Sequence, residues 1–482
     1  DIFAQTDVMI TNQLGTLGTT RVTYDDGFVL NMDYSHGPSV NLDENTGINL
    51  SGNINANRLV TVQNAGKKGI TMDSNVRAGE FVENESGEIA NQGVISVIND
   101  NGNINITGGT INGSKVTITN ANKGGSLTTK ANINASDLVL IENAGKGDMT
   151  VDGNITSNKI LLENQTYDIV TNIDGVCTNY LEMSRLDAPS TNTNGGLIAS
   201  GNILGETVYI QNSGVNGITS NANVTSQGNV MITNNNGNIN LVSGDISGNN
   251  VIVSNSNKAG SLTANANIKA TNMALIENAG NGNMTVEGNV EGAIASLQNQ
   301  TYDIETPRMV AESDGLITLG VKRNNSNSAN KGNALVTSGT IKGDTVYVQN
   351  SGNKGIETNG NINASQKLMI TTDNAGINLK SGNVTGKNVI ISASNKATNG
   401  ITVNANINSE ELMLIENAGK GSIIVDGTLN GNNGKVLIEN QTYDITTPRT
   451  SFNNDYIVLD VKRVDKPAQN VDGGIFANGT IS

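Results

Sequence analysis

An asparagine that recurs at short, regular intervals constrains the fold of this 482-residue chain more than any other feature. Each of these asparagines follows a short apolar run, and within each group the interval is 21 to 24 residues. Periods of about 20 to 50 residues are typical of proteins built from stacked structural repeats. The recurring asparagines are Asn99, Asn120, Asn143, Asn164, Asn212, Asn234, Asn255, Asn278, Asn299, Asn350, Asn374, Asn395, Asn417 and Asn440.

This short period lies inside a longer one. The motif Ile-Glu-Asn-Ala-Gly begins at Ile141, Ile276 and Ile415, which sets a longer period of 135 to 139 residues. The chain begins and ends within this pattern, so we expect a section of a longer array whose partners are neighbouring repeats of the same chain. The predicted divisions are a first long repeat at 1–167 (with 1–50 irregular or projecting and about 79–91 inserted), a second at 168–302, a third at 303–443, and the start of a fourth, truncated repeat at 444–482.

The apolar runs predict strands that stack coil upon coil. Runs such as Val251-Ile252-Val253 are short and β-branched, and Asn, Gly and Ser separate them. The chain has no tryptophan and only 3% aromatic residues, which suits a narrow aliphatic core. We therefore predict an all-β fold, a single-stranded parallel β-helix with about 22 residues per coil and about 22 coils at a spacing of about 4.8 Å. The recurring asparagines should then form a ladder of amide hydrogen bonds.

Four stretches interrupt the coils, at about 1–50, 168–199, 303–337 and 444–477. They contain all five prolines, and two of them share the motifs Thr-Pro-Arg and Leu-x-Val-Lys-Arg. We expect each to be a strand pair or loop that projects from the coils, or an enlarged coil. One interpretation is that they form a periodic contact surface for a receptor, a glycan or another rod. The alternative is a structural spacer whose charges are simply solvated. The candidate projecting contact residues are Arg185, Arg308, Lys322, Arg323, Arg449, Lys462 and Arg463.

Residue types that carry catalysis or bind metals are scarce. His36 is the only histidine, and Cys177 is the only cysteine, so neither a histidine-based triad nor an internal disulfide is possible. Glu142 and Glu163 are expected on neighbouring coils, where paired carboxylates could serve acid–base chemistry. The equivalent of Glu163 in the second repeat is Gln298, so we expect an exposed face instead. We predict no catalytic, cofactor-binding or metal-binding residues.

Charge and hydropathy argue against nucleic acid as a partner and against a membrane span. The net charge is −15 and basic residues do not cluster, which argues against nucleic acid. The sequence contains no apolar stretch of about 18 residues, so we expect no membrane span in this segment.

Two segments carry a family resemblance, 153–162 and 360–370. Each begins Gly-Asn-Ile and continues through a polar spacer into alternating apolar residues. This pattern resembles the repeat regions of filamentous-haemagglutinin-like secreted adhesins of Gram-negative bacteria and of related autotransporter passengers. The resemblance implies a right-handed β-helix, an extracellular location at the cell surface, and a role as an extended adhesin or its stalk. It carries no functional residue over to this chain.

Three functions follow as expectations. The first is a non-enzymatic extracellular rod, stalk or fibre segment of a large repetitive bacterial adhesin, which extends or presents surfaces for a host or cell-surface glycan or protein. The second is a self-associating matrix, sheath or filament protein that binds other copies of itself. The third is a polysaccharide-active β-helix enzyme, which the drift of charged positions between repeats disfavours.

Overall fold

The computed structural model describes residues 1–12, 16–24, 27–35, 46–79, 82–83, 89–90, 93–174, 180–310, 316–432, 434–452 and 456–482. Within these ranges the chain contains strands and no helix. It forms a parallel β-solenoid of about 17 turns that lie about 22 residues apart, which confirms the predicted fold class. The turns are fewer than the expected 22 because the interruptions contribute residues to hairpins. His36 and Cys177 lie outside the described residues.

Parallel pairing in constant register builds the coils. Strand Asp245–Asn255 pairs with strand Asn267–Asn278, so that Val253 lies opposite Ile276 and Asn255 lies opposite Asn278. Alternate side chains of each strand point inward, and Val253 and Ile276 are fully buried. The register shifts between Gly248 and Asn250, which marks a corner of the coil. The aliphatic alternation in the sequence therefore becomes a column of stacked core residues.

Glycine is required where successive coils approach each other closely. Gly201 has a φ of 87°, a left-handed conformation that side chains disfavour. A Cβ atom at this position would lie 2.5 Å from the carbonyl oxygen of Gly153 in the preceding coil. The glycine of the recurring Gly-Asn-Ile motif thus permits close stacking of one corner on the next.

The described chain forms two compact units, whose limits differ from the predicted long repeats; those repeats stay a prediction. The first unit comprises Asp1–Asn216 and Arg308–Thr318, and the second comprises Gly217–Pro307 and Leu319–Ser482. The solenoid strands of the first unit are Ile2–Ala4, Asp7–Asn12, Gly47–Ala56, Leu59–Asn64, Gly69–Ala78, Val94–Asn99, Gly102–Gly108, Thr110–Asn120, Gly124–Thr129, Asn132–Asn143, Met149–Asp152, Ile155–Asn164, Gly196–Ser200 and Asn202–Asn212.

The solenoid strands of the second unit continue the same pattern. They are Gly217–Ser220, Asn223–Ser226, Asn229–Asn234, Gly237–Leu241, Asp245–Asn255, Ala259–Ala264, Asn267–Asn278, Met284–Val286, Val290–Glu291, Ile294–Asn299, Leu335–Thr337, Ile341–Asn350, Ile356–Thr358, Ile362–Thr372, Ile377–Leu379, Asn383–Ala393, Ile401–Val403, Asn406–Asn417, Ile423–Val425, Thr428–Asn430, Lys435–Asn440, Ile475–Ala477 and Thr480–Ile481.

Antiparallel strand pairs form the interruptions. A short pair also lies within the inserted residues near 79–91. We number the four main hairpins in chain order as hairpins 1 to 4. Hairpin 1 pairs Thr16–Tyr24 with Gly27–Ser35, hairpin 2 pairs Asp168–Asp174 with Tyr180–Leu186, and the short pair joins Val82–Glu83 to Ile89–Ala90. Hairpin 3 has two strand pairs, Asp303–Glu305 with Lys322–Asn324 and Arg308–Val310 with Ile317–Leu319. Hairpin 4 also has two, Asp444–Thr446 with Lys462–Val464 and Arg449–Phe452 with Tyr456–Leu459.

Candidate functional site at the hairpin bases

Stacked asparagine side chains line one corner of the solenoid. The Nδ2 of Asn255 donates a hydrogen bond to the Oδ1 of Asn278 (3.1 Å), and Asn278 donates in the same way to Asn299 (3.1 Å). Several of these amides also bond to turn backbone, as Asn278 does to the carbonyl of Gly282. Within each unit, bonds of this kind connect Asn99, Asn120, Asn143, Asn164 and Asn212 in one series, Asn234, Asn255, Asn278, Asn299 and Asn350 in a second, and Asn417 with Asn440 in a third. The ladder thus pairs most of its buried amides, although the Nδ2 of Asn440 has no hydrogen-bond partner within the described chain.

Two members of the predicted ladder lie elsewhere. The register places Thr372 opposite Asn350, and Ala393 opposite Thr372, so Asn374 and Asn395 fall two residues beyond the ladder position. In this coil the apolar run ends in Thr-Thr-Asp-Asn, and spacing alone selects the later asparagine. Asn374 instead bonds to the carbonyl of Ser351, and the backbone N–H of Asn395 bonds to hairpin 4.

Two ladder members were not predicted. Asn12 donates a hydrogen bond to Asn64, and Asn64 donates to Asn99. The first interruption and the inserted residues break the regular spacing around them, which hides both from a search for a constant interval.

An arginine–glutamate–tyrosine cluster with a buried glutamate lies at the base of each of hairpins 2, 3 and 4. We call it the hairpin anchor. In hairpin 3, Arg323 donates from Nε to Oε2 of Glu277 (2.7 Å) and from Nη2 to Oε1 (2.5 Å), a bidentate ion pair. The hydroxyl of Tyr302 donates to the same Oε2 (2.7 Å). The three anchors consist of Glu142, Tyr167 and Arg185; Glu277, Tyr302 and Arg323; and Glu416, Tyr443 and Arg463.

The motif Asn-Gln-Thr-Tyr-Asp builds the anchor locally. Its glutamine adopts a left-handed turn, with φ 53° at Gln300, which reverses the chain into the hairpin. The side chain of Gln300 stabilises this turn, because its Nε2 donates to the carbonyl of Gly280 (2.8 Å). The turn brings Tyr302 onto Glu277 of the preceding coil, and the returning arm of the hairpin supplies the arginine.

Conserved contacts within the chain hold the end of each hairpin region. Asn330 donates from its Nδ2 to the carbonyls of Asn257 (2.8 Å) and Ala279 (2.7 Å), on two successive coils. Asn192 and Asn470 make the equivalent pairs of bonds. Since these contacts recur, the path from hairpin back to coil is built the same way each time.

The first anchor contains a second carboxyl group. The hydroxyl of Tyr167 lies 2.6 Å from Oε2 of Glu142 and 2.6 Å from Oε2 of Glu163. A phenol has one proton, so it donates to one carboxylate and must accept from the other. Burial is the largest effect on Glu163 and raises its pKa to about 8, while the hydrogen bond from Tyr167 opposes this rise. Glu163 is therefore the protonated partner at neutral pH.

Glu142 is the ionised partner. Burial alone would raise its pKa, but the charge and hydrogen bonds of Arg185 outweigh burial and hold the pKa below its usual range. Thr119 donates a further hydrogen bond to it (2.5 Å). The expectation of an exposed carboxylate pair is wrong, because both side chains are only 1% exposed. Hairpin 2 covers both side chains, and the pattern of the local strands does not predict that a hairpin lies over them.

The other two anchors vary this arrangement. In the second, Gln298 replaces Glu163 and donates to Ser296 (2.8 Å) and Gln349 (2.9 Å), so Tyr302 has a single carboxylate partner. In the third, Tyr443 bonds to both Glu416 and Glu439. In the first and third anchors the tyrosine hydroxyl therefore contacts two carboxyl groups.

The hairpins lie against the solenoid. In hairpins 2 and 4, a glutamine side chain of the solenoid pairs with the hairpin backbone as a neighbouring strand would. Gln349 accepts from the N–H of Leu459 (2.9 Å) and donates to its carbonyl (2.6 Å), and Gln63 does the same with Leu181 (2.9 and 3.3 Å). Such paired bonds fix the position of the hairpin along the coils.

The predicted contact residues therefore fall into three groups. Arg185, Arg323 and Arg463 turn toward the solenoid and bind the anchor glutamates, so they do not project. Arg308 and Arg449 donate to the backbone carbonyls of Thr166 (2.9 Å) and Thr301 (2.6 Å). Lys322 and Lys462 are exposed, as predicted. The reason is geometric: alternate residues of a hairpin strand point to opposite faces, and the arginine beside each lysine faces inward.

The arrangement of these groups is suited to holding structure. Each anchor glutamate forms an ion pair with an arginine. No group of three or more potential metal ligands occurs in the described ranges. No helix in the described part of the chain is long and apolar enough to cross a membrane. An open groove of about 640 Å³ lies in the second unit, where Lys269, Glu291 and Lys342 form a surface ion-pair series beside small residues.

Sequence reasoning named the glutamate of the first anchor, Glu142, but expected it on an exposed face, and it did not single out the anchor tyrosines. The signal was present: Glu142, Glu277 and Glu416 stand in the repeated Ile-Glu-Asn, and each tyrosine stands in Asn-Gln-Thr-Tyr. A glutamate that recurs in every repeat beside core residues is expected to have a cationic partner. In the described chain, the arginine of each hairpin is the only recurring residue that forms this ion pair.

Comparisons with known proteins define no family for this chain. No protein-family model, no curated protein and no solved structure matches it. The class supported by the structure is a parallel β-solenoid protein, and the adhesin resemblance stays an expectation from the sequence.

Proposed function

We propose that this chain is a non-enzymatic, extracellular rod or stalk segment of a large repetitive bacterial surface adhesin, which extends or presents binding surfaces. One observation carries the proposal. The arginines, glutamates and tyrosines that could form a polar reaction site instead recur in three copies, where they fasten hairpins to coils. Repetition of a buried ion pair favours a mechanical role over a unique catalytic centre.

Nearest-neighbour stacking supports the same role. Each coil contacts mainly the coils beside it, so length can grow by duplication without redesign of a core. The asparagine ladder and the hairpin anchors repeat with that duplication. An extended segment that carries surfaces at fixed spacing is what such a design provides.

Sedimentation velocity tests the proposal. A stalk segment should sediment as a monomer over a wide range of protein concentration, because its lateral surface is charged and hydrated. Filaments or lateral bundles would contradict a stalk and favour the matrix or sheath role. The same protein should release no oligosaccharides from a panel of neutral and anionic polysaccharides; depolymerisation would contradict the non-enzymatic role.

A further inference from the structure

Hairpin 4 contacts the anchor of hairpin 3. Arg449 donates from its Nε to the backbone carbonyl of Thr301 (2.6 Å), the residue directly before the anchor tyrosine Tyr302. Ile457 packs in one buried cluster with Tyr302 and with Ile304, which lies on the first strand of hairpin 3. Hairpin 4 therefore contacts both the tyrosine motif and the base strand of the hairpin before it.

The position of Ile304 makes this contact a cover for the anchor. Ile304 lies opposite Arg323 in the antiparallel pairing of the base strands, and opposite residues of such a pair share one face. Both side chains are turned away from water, because Ile304 is 1% exposed and the side chain of Arg323 is 7% exposed. The backbone N–H of Ile304 also donates to the Oδ1 of Asn257 on the coil (2.7 Å). Ile457 therefore packs beside the residues that fasten hairpin 3.

Hairpin 3 contacts the anchor of hairpin 2 through the same two residue types. Arg308 donates from its Nε to the carbonyl of the residue directly before Tyr167 (2.9 Å). Ile317 packs in one cluster with Tyr167 and Ile169, and Ile169 lies opposite Arg185 in hairpin 2. We call each arginine–isoleucine pair a latch: Arg308 with Ile317 in hairpin 3, and Arg449 with Ile457 in hairpin 4.

We propose that each latch controls the release of the hairpin before it. The anchor of hairpin 3 opens only after the latch of hairpin 4 has lifted, and the anchor of hairpin 2 opens only after the latch of hairpin 3 has lifted. The reason is steric, since Tyr302 must lose its buried contact with Ile457 before its ring can leave Glu277. A latch can lift first, because its lifting leaves the ion pair of Arg323 with Glu277 in place. The order rests on contacts within the chain and not on the proposed function.

Hydrogen–deuterium exchange of the full chain tests this order, because it measures local opening of each strand. Ile457→Ala removes apolar contacts from the latch, so it should accelerate exchange of the hairpin 4 strand Tyr456–Leu459 at least about tenfold. It should accelerate exchange of the hairpin 3 strand Asp303–Glu305 by a similar factor, since opening of that strand includes lifting of the latch. Protection of the solenoid strand Asn132–Asn143 should be unchanged, which shows that the coils remain folded.

A variant of the anchor tests the direction of the order. Tyr302→Phe removes the hydrogen bond to Glu277 but retains the ring that packs with Ile457. It should accelerate exchange of Asp303–Glu305 about tenfold, because the lost hydrogen bond is made to a charged group. It should leave exchange of Tyr456–Leu459 unchanged, because the latch lifts before the anchor opens.

Lys462→Gln is the matched control within hairpin 4. Lys462 is exposed and is not part of the latch, so this variant should change the exchange of neither hairpin. The proposal is overturned if Ile457→Ala leaves the strand Asp303–Glu305 as protected as it is in the parent. It is also overturned if Tyr302→Phe does anything other than accelerate exchange of that strand alone.

Discussion

Arg323→Met lowers the free energy of unfolding by about 3–5 kcal/mol, the cost of leaving a buried charge without its partner. The side chain of Glu277 is fully buried and that of Arg323 is 7% exposed, so water cannot replace the lost ion pair. Tyr302 alone would remain as a hydrogen-bond donor to the carboxylate. Urea denaturation followed by circular dichroism measures the change.

Two further variants make this result specific. Arg323→Met combined with Glu277→Met should recover most of the loss, since replacing both members of a buried pair by apolar groups is often nearly neutral. Lys322→Met is the neighbouring control, because Lys322 is 62% exposed and its solvent-screened ion pair with Glu305 should contribute little to stability. If Arg323→Met lowers the free energy of unfolding no more than Lys322→Met does, the anchor does not hold the hairpin.

Glu163→Gln should abolish a loss of stability that the first unit otherwise suffers between about pH 4.5 and pH 8. Unfolding restores the pKa of Glu163 from about 8 to its ordinary value of 4.5, so within this window the unfolded chain releases a proton that the folded chain retains. The contribution of the protonated side chain is fully present below the lower pKa and is lost as pH rises through the upper one. The loss is about 1.4 kcal/mol per pH unit, or on the order of 4–5 kcal/mol across the window.

Glutamine retains the shape of Glu163 but cannot ionise, so the variant should be several kcal/mol more stable than the parent at pH 8 and similar to it near pH 4.5. Urea midpoints at three pH values across the window provide the comparison, and Glu182→Gln, at an exposed position, should leave the profile unchanged. The natural glutamine at Gln298 shows that an amide fits this position in the second repeat. Parallel pH profiles for parent and Glu163→Gln would rule out the shared-proton geometry around Tyr167.

Local periodicity was sufficient to predict the coils. The interval between asparagines follows from the length of one turn, so Asn234, Asn255 and Asn278 could be placed on a ladder from spacing alone. Prediction failed at Asn374, where one coil ends in Thr372 and a neighbouring asparagine kept the spacing nearly regular. Which residues stack on each other is set by the pairing of the strands. The interval between residues in the sequence only approximates that pairing.

The contacts between the hairpins and the coils could not be predicted in the same way. Arg323 and Glu277 are 46 residues apart, and Arg449 and Thr301 are 148 residues apart. These contacts depend on how a hairpin bends back over coils that precede it, and no short pattern encodes that direction. A charged Lys-Arg pair in a loop therefore suggested projection, although its arginine is buried.

Hydrogen–deuterium exchange of Tyr456–Leu459 tests most directly whether hairpins lie on the coils. The amides of this strand should be protected to a degree comparable with those of the solenoid strand Asn406–Asn417, because Tyr456 and Val458 pack on apolar residues of the coils and Gln349 bonds to Leu459. Exchange as fast as that of a solvated, isolated two-stranded hairpin would contradict the account.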